Sequence, residues 1–177
     1  ELNLLKGVVA IVLMAAAIPI TGESLTRIQP LAFWLLIISG VVGLGLGDTS
    51  YFESLRMIGP RRALLLTISA PPMTAILAAL FLGEHLALTA WLGIGVTILG
   101  VAWVITEQTP LNGVKIEPAA LRAGVLFASF SALCQSIGAV LSRAALTMTD
   151  VTTLQSGMWR LLAGIVVLSV WVVLSKE

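Results

Sequence analysis

Apolar residues in this chain come in long blocks, and polar ones in the short links between them. Six apolar blocks can be counted, each near the length an α-helix needs to cross a hydrocarbon core of roughly 30 Å. The pattern predicts helices over about Leu4 to Ile20, Pro30 to Ser54, Arg61 to Gly83, Leu88 to Thr106, Ala119 to Leu146 and Val151 to Leu174. Among the links are TGESLTRIQ, the tight Gly83-Glu84-His85, and EQTPLNGVKIEP, whose Pro, Gly and Asn read as a surface loop. Lys6 stands near the start of the first block, where its long stem can snorkel to the interface. Pro30 opens the second, a first-turn position where its missing N–H does no harm. Trp91 and Trp103 lie near the two ends of the fourth, where interfacial anchors belong. The expectation is an all-α integral membrane protein with six transmembrane helices and no strands.

The third block, RRALLLTISAPPMTAILAALFLGE, holds the sharpest local signal. Ala63 to Gly83 is free of formal charge, yet Pro71 and Pro72 stand at its centre. Neither proline has an N–H, so the carbonyls of Thr67 and Ile68 lose their intrahelical partners and the helix should bend. In lipid an orphaned carbonyl costs several kcal/mol unless a hydroxyl, a neighbouring helix or water satisfies it. Ser69 and Thr74 are near enough to help. The break should face protein or a cavity.

Composition narrows the class. Of 177 residues, 58% are hydrophobic and 11% charged, against about 25% charged in an ordinary soluble domain. A net charge of +1 argues against a nucleic-acid partner. The lone Cys134 excludes an internal disulfide and a multi-cysteine metal site, and the lone His85 a His-rich one. No cofactor or metal is expected. The run from Gly7 to Ile20 lacks the small-residue cleavage site of a signal peptide. The chain opens without Met and stops at SKE just after an apolar run, which suggests an excerpt of something longer.

Small residues mark helix faces. Gly40, Gly43 and Gly47 do so in the second block, and Gly93, Gly95 and Gly100 in the fourth. In lipid such faces let backbones approach closely. Gly43, Gly45 and Gly47 alternate just ahead of Asp48, so local unwinding is a second reading there. An internal repeat also shows: Leu4, Leu5, Gly7 and Val9 match Leu161, Leu162, Gly164 and Val166 at an offset of 157 (161 − 4). If the sixth block repeats the first, five helices separate equivalent positions. An odd repeat inverts its topology in the membrane, as in many secondary transporters.

With these features in place, the chain resembles the drug/metabolite transporter superfamily, in its EamA-type branch. The resemblance rests on GDTSYFESLRMIGPRRA (Gly47 to Ala63), the mid-helix proline of SAPPMTAILAALFLGE (Ser69 to Glu84) and LTAWLGIGVTILGVAWV (Leu88 to Val104). FASFSALCQSIGAVLSRAAL (Phe127 to Leu146) and LQSGMWRLLAGIVVL (Leu154 to Leu168) extend it. It implies ten helices in two inverted five-helix repeats around a central substrate path, with the present helices as two to seven. On that reading residues 1–106 form a first repeat lacking its first helix, 107–118 a connecting loop, and 119–177 the first two helices of the second repeat. The tandem Pro71-Pro72 departs from the family's usual single proline.

The candidate residues follow from depth and chemistry. A carboxylate inside a membrane segment costs several kcal/mol when it faces lipid. Asp48 is therefore read either as a bundle-facing group that meets substrate or takes a proton, or as a structural partner of Arg56 or a helix-end residue at the headgroups. Tyr51 shares its face at helical spacing. Burial disfavours the charged form of a carboxyl group, so a buried Asp48 could exchange a proton with its surroundings. Gln135, among Ser129, Ser131 and Ser136, lines the path or bonds a neighbouring helix. Arg160 snorkels, contacts an anion, or bridges to Asp48 or Glu84. Ser69, Pro71 and Pro72 complete the path group. Glu53 and Arg56, spaced i, i+3, read as an interfacial pair, and Glu84 as a turn residue; these three are structural or gating candidates.

A secondary transporter of a small metabolite or drug-like compound in the cell (plasma or inner) membrane is the leading reading, with the proton as a candidate coupling ion. A non-transporting scaffold is the rival. An intramembrane enzyme needs clustered acids, His ligands or a Ser–His pair, which His85 alone cannot supply. Without a Walker A lysine loop, ATP would not drive transport from within this chain. Oligomeric state is not legible. Orientation stays open, because the positive-inside rule and the family's usual cytoplasmic N-terminus point opposite ways.

Overall fold

The computed structural model describes residues 2–21, 28–106 and 117–174. Every element among them is helical: α1 (Leu2–Thr21), α2 (Pro30–Gly40), a π-helical stretch (Val41–Leu46), α3 (Gly47–Ile58), α4 (Pro60–Thr67), α5 (Ala70–Leu82), α6 (Leu88–Thr106), α7 (Pro118–Met148) and α8 (Thr153–Leu174). The six expected blocks are recognisable in this order. Pro30–Thr67, Pro118–Met148 and Thr153–Val170 are long and apolar enough to cross a membrane, while Gly7–Ala17, Ala70–Leu82 and Leu88–Trp103 are shorter apolar helices. Most of the TGESLTRIQ link and residues 107–116 of the connecting loop lie outside the described residues, as does the Lys6 side chain.

The second block runs past Ser54 to Ile58, where Gly59 ends it at φ 80 and ψ 163, a conformation open in practice only to glycine. Pro60 then starts α4 at its first turn. The local unwinding considered before Asp48 takes the form of the π-helical stretch, which contains Gly43 and Gly45. Such widened turns recur at functional sites.

Two compact units divide the chain: residues 1–46 with 137–177, and residues 47–136. In the first, α8 packs against α1, α2 and the π-helical stretch. Glycines set these contacts. A Cβ on Gly7 would meet the Ile165 side chain, and one on Gly157 would strike Met14; α1 and α8 therefore run antiparallel. Gly40 lies against the Arg160 carbonyl, and Gly164 against Leu44. A Cβ on Gly138 would come within 2.8 Å of Gly43 Cα and 2.9 Å of the Ser39 carbonyl. Ser39 Oγ donates to the Gly138 carbonyl at the same crossing. Ala32, Leu36, Ala145 and Val151 form the buried cluster, flanked by Trp159, whose ring meets Phe33 edge-on with centroids 5.1 Å apart. Thr152 and Gln155 exchange side chain-to-backbone bonds of 3.2 and 3.1 Å at the start of α8, a capping box built with Gln.

In the second unit the bend falls at Ile68 and Ser69, which take ψ −16° and −14°. Ser69 N bonds the Leu66 carbonyl at 3.1 Å, an i→i−3 turn that tightens the helix. Pro71 and Pro72 thus fall in the first turn of α5, where missing N–H groups are tolerated. The two hydroxyls expected to serve Thr67 and Ile68 bond other carbonyls: Ser69 Oγ that of Leu66 at 2.6 Å and Thr74 Oγ1 that of Ala70 at 2.9 Å. Ile58, Ala63, Leu66 and Ala128 make the core, flanked by Tyr51, Leu55 and Val101. Gly124 lets α7 approach Ile58 and Met57.

One expectation is corrected here. Gly93, Gly95 and Gly100 are exposed, and a Cβ on any of them would meet nothing within 4 Å. The packed side of α6 instead carries buried Ile94 and, one heptad on, Val101. Small residues permit close approach; they do not compel it.

Candidate functional site

Three polar side chains of α7 make the polar contacts of that helix in the second unit, two of them to other helices. Ser131 is fully buried and its Oγ donates to the Gly47 carbonyl at 2.7 Å. Gln135, one turn later and half-buried, donates from Nε2 to Ser131 Oγ at 3.2 Å. Ser136, also fully buried, reaches the Ala70 carbonyl at 2.9 Å and shares its proton with Ala132 of its own helix at 2.7 Å. Two neighbouring serines therefore pin the first residues of α3 and α5, one ahead of Asp48 and the other just past the proline-induced break. Interhelical bonding is the work of Ser131 and Ser136; Gln135 bonds within its own helix.

Asp48 lies in the first turn of α3 and is half-buried. The helix continues to Ile58, so Asp48 sits ten residues (58 − 48) before its end. Tyr51, half-buried and one turn on, packs against the Ile58–Ala128 cluster and meets Phe52 with ring centroids 5.8 Å apart. Pro72 is buried and Pro71 exposed, so only the second proline can support packing. Carboxylate, phenol, amide and two buried hydroxyls thus occur in one unit, on segments long and apolar enough to lie in a bilayer. Such a set can hold a polar solute by hydrogen bonds or hand on a proton.

The structural or gating candidates are placed as follows. Arg56 Nη1 donates to Glu53 Oε2 at 3.2 Å, with the arginine side chain 79% exposed, so the pair adds at most about 1 kcal/mol. Glu84 belongs to neither helix: α5 ends at Leu82, Gly83 turns the chain at φ 68, and α6 starts at Leu88.

Arg160 belongs to the first unit, in the second turn of α8. It is half-buried, and its Nε is buried without a hydrogen-bond partner, as are Trp159 Nε1 and Ser54 Oγ. Beside it is a pocket of about 200 Å³ lined by Leu44, Gly157, Arg160 and Leu161. Sequence reasoning picked out Arg160 but missed Leu44 and the buried Ser142–Ser156 pair, whose oxygens are 2.9 Å apart. A serine at a small-residue position looks like packing until its partner helix is known.

Comparison with curated proteins and with solved structures finds no match. The model of the EamA-like transporter family matches residues 1–106, more than half of the 177-residue chain. Its matched region holds α1 to α6, the π-helical stretch, the proline break and Asp48. The chain therefore belongs to the EamA-like transporter family, multi-pass membrane transporters of the drug/metabolite type.

Proposed function

We propose that this chain serves a secondary transporter that exports a small metabolite or drug-like compound across the cell membrane by alternating access. The observation that carries the reading is the chain of bonds from Gln135 Nε2 through Ser131 Oγ to the Gly47 carbonyl, one residue from half-buried Asp48. Polar groups at membrane depth cost free energy unless they are paired or line a polar route. Asp48 and Tyr51 meet the solute, Ser69, Pro71 and Pro72 give the break where the helix can flex, and Gln135 supplies an amide. Asp48 takes up and releases the proton that couples movement to a gradient. Arg160 contributes a positive charge for the solute within its own unit, while Glu53, Arg56 and Glu84 hold helix ends.

Residues 1–106 form one repeat, 107–118 a link, and 119–177 the start of an inverted second. The antiparallel contact of α1 with α8 supports this division, since inverted repeats place equivalent helices in opposite directions. The test compares small molecules in the medium of cells making the full-length protein with those from cells making Asp48→Asn at equal membrane levels. Export predicts at least one compound enriched severalfold outside the wild-type cells alone. Identical media from the wild type, the variant and cells lacking the protein would overturn the reading.

A further inference from the structure

We infer that Arg160 holds the charged end of a small organic monoanion in the pocket beside it. A guanidinium N–H in apolar surroundings forfeits its water and gains nothing unless it finds an acceptor. Arg160 Nε is buried and has no partner, and a void of about 200 Å³ opens at the same side chain. The orphan donor and the empty space coincide. Gly157, three residues earlier on α8, lines that space without filling it, and the π-helical stretch supplies Leu44 as a wall.

Among the described residues of this unit, no counter-ion accounts for the charge. Among its described residues the one carboxylate is Asp150, exposed and bonded by Gln29 Nε2 at 3.3 Å. The remaining lining, Leu44 and Leu161, is apolar. One cation against apolar walls neutralises a single negative charge. A dianion would keep an uncompensated charge in a low dielectric, at high cost. The volume lies below the roughly 300–1,000 Å³ of pockets for drug-sized ligands, so it suits a carboxylate on a compact apolar body. The inference rests on the transport reading and names its substrate class. The same chemistry could come from an acidic phospholipid headgroup, and the experiment separates the two.

The full-length protein, labelled with ¹⁵N-arginine, is placed in phosphatidylcholine nanodiscs, and its Nε–H signals are followed during titration with benzoate. Arg160→Lys identifies the Arg160 signal by its loss. A saturable shift with benzoate, absent with chloride and at least fivefold weaker with sulfate at equal ionic strength, is the expected result. Leu161→Phe keeps the guanidinium but fills the pocket, and should weaken the benzoate response at least tenfold. If Arg160→Lys does not fold, the signal is identified as the one whose position Leu161→Phe changes before benzoate is added. A signal already shifted in phosphatidylglycerol discs, and no longer moved by benzoate, assigns the site to lipid and overturns the substrate class. No shift under any of these conditions overturns the site itself. Because no flux is measured, binding without export contradicts only the transport reading, and export with a silent Arg160 contradicts only this inference.

Discussion

Ser131 Oγ lies 2.7 Å from the Gly47 carbonyl oxygen, tying α7 to the residue immediately before Asp48. The position of Asp48 is thereby set by a hydroxyl more than eighty residues away in sequence, not by its own helix alone. Gln135 bonds the same hydroxyl, so amide and carboxylate share one support.

Ser131→Ala removes that support without changing the backbone. Interhelical bonds in membrane bundles contribute roughly 0.5–1.5 kcal/mol, so the variant should fold yet melt a few degrees lower in detergent. Its export should fall more than its stability suggests, because Asp48 and Gln135 both lose their reference point. Wild-type export at normal membrane levels would show that the bond does not position the site.

The glycine contacts give a paired test. A side chain on Gly138 would meet Gly43 Cα and the Ser39 carbonyl, both backbone atoms that cannot move aside. Gly138→Val should therefore cost about 3 kcal/mol or more through overpacking. Gly95→Ala, in open space inside α6, should not destabilise, and removing a helix-interior glycine adds about 0.5–1 kcal/mol at most. Thermal melts followed by size-exclusion chromatography distinguish the two; equal effects would contradict the packing described.

Pro71 and Pro72 should separate in the same way. Exposed Pro71 contributes no packing, whereas buried Pro72 does. Pro71→Ala should leave stability and export near wild type. Pro71→Ala with Pro72→Ala restores both N–H groups and lets the carbonyls of Thr67 and Ile68 regain helical partners. The double variant should keep its fold and lose most export. Unchanged export by the double variant would mean that the break has no part in transport.

Much of this architecture was legible in the order of residues. Helix limits follow from apolar blocks bounded by Pro30, Gly83 and Pro118, because each of these residues has a backbone property of its own; the end at Gly59 was not read, since polar residues around Ser54 hid the last turn of that helix. The proline break was legible for the same reason, and so was the disturbance before Asp48, from three alternating glycines. Pairings between helices were not. That Ser136 reaches Ala70, and Ser39 reaches Gly138, depends on which helices become neighbours, and no local pattern encodes that. Gly93, Gly95 and Gly100 looked like a packing face because glycine shows where approach is allowed, not where it happens. The pocket at Arg160 needed Leu44 from a distant segment, and nothing near Arg160 announced it.

The central claim is that this chain moves a solute with Asp48 as the proton-coupling group, and one flux measurement tests it most directly. The full-length protein and Asp48→Asn are reconstituted in vesicles, and flux of the compound found in the export comparison is followed with and without an imposed pH gradient. Asp48→Asn keeps the shape and removes the titrating group. The account predicts that the gradient drives wild-type flux severalfold and does not drive the variant, while solute exchange without a gradient survives in both. A variant whose flux responds to the gradient as the wild type does would contradict it.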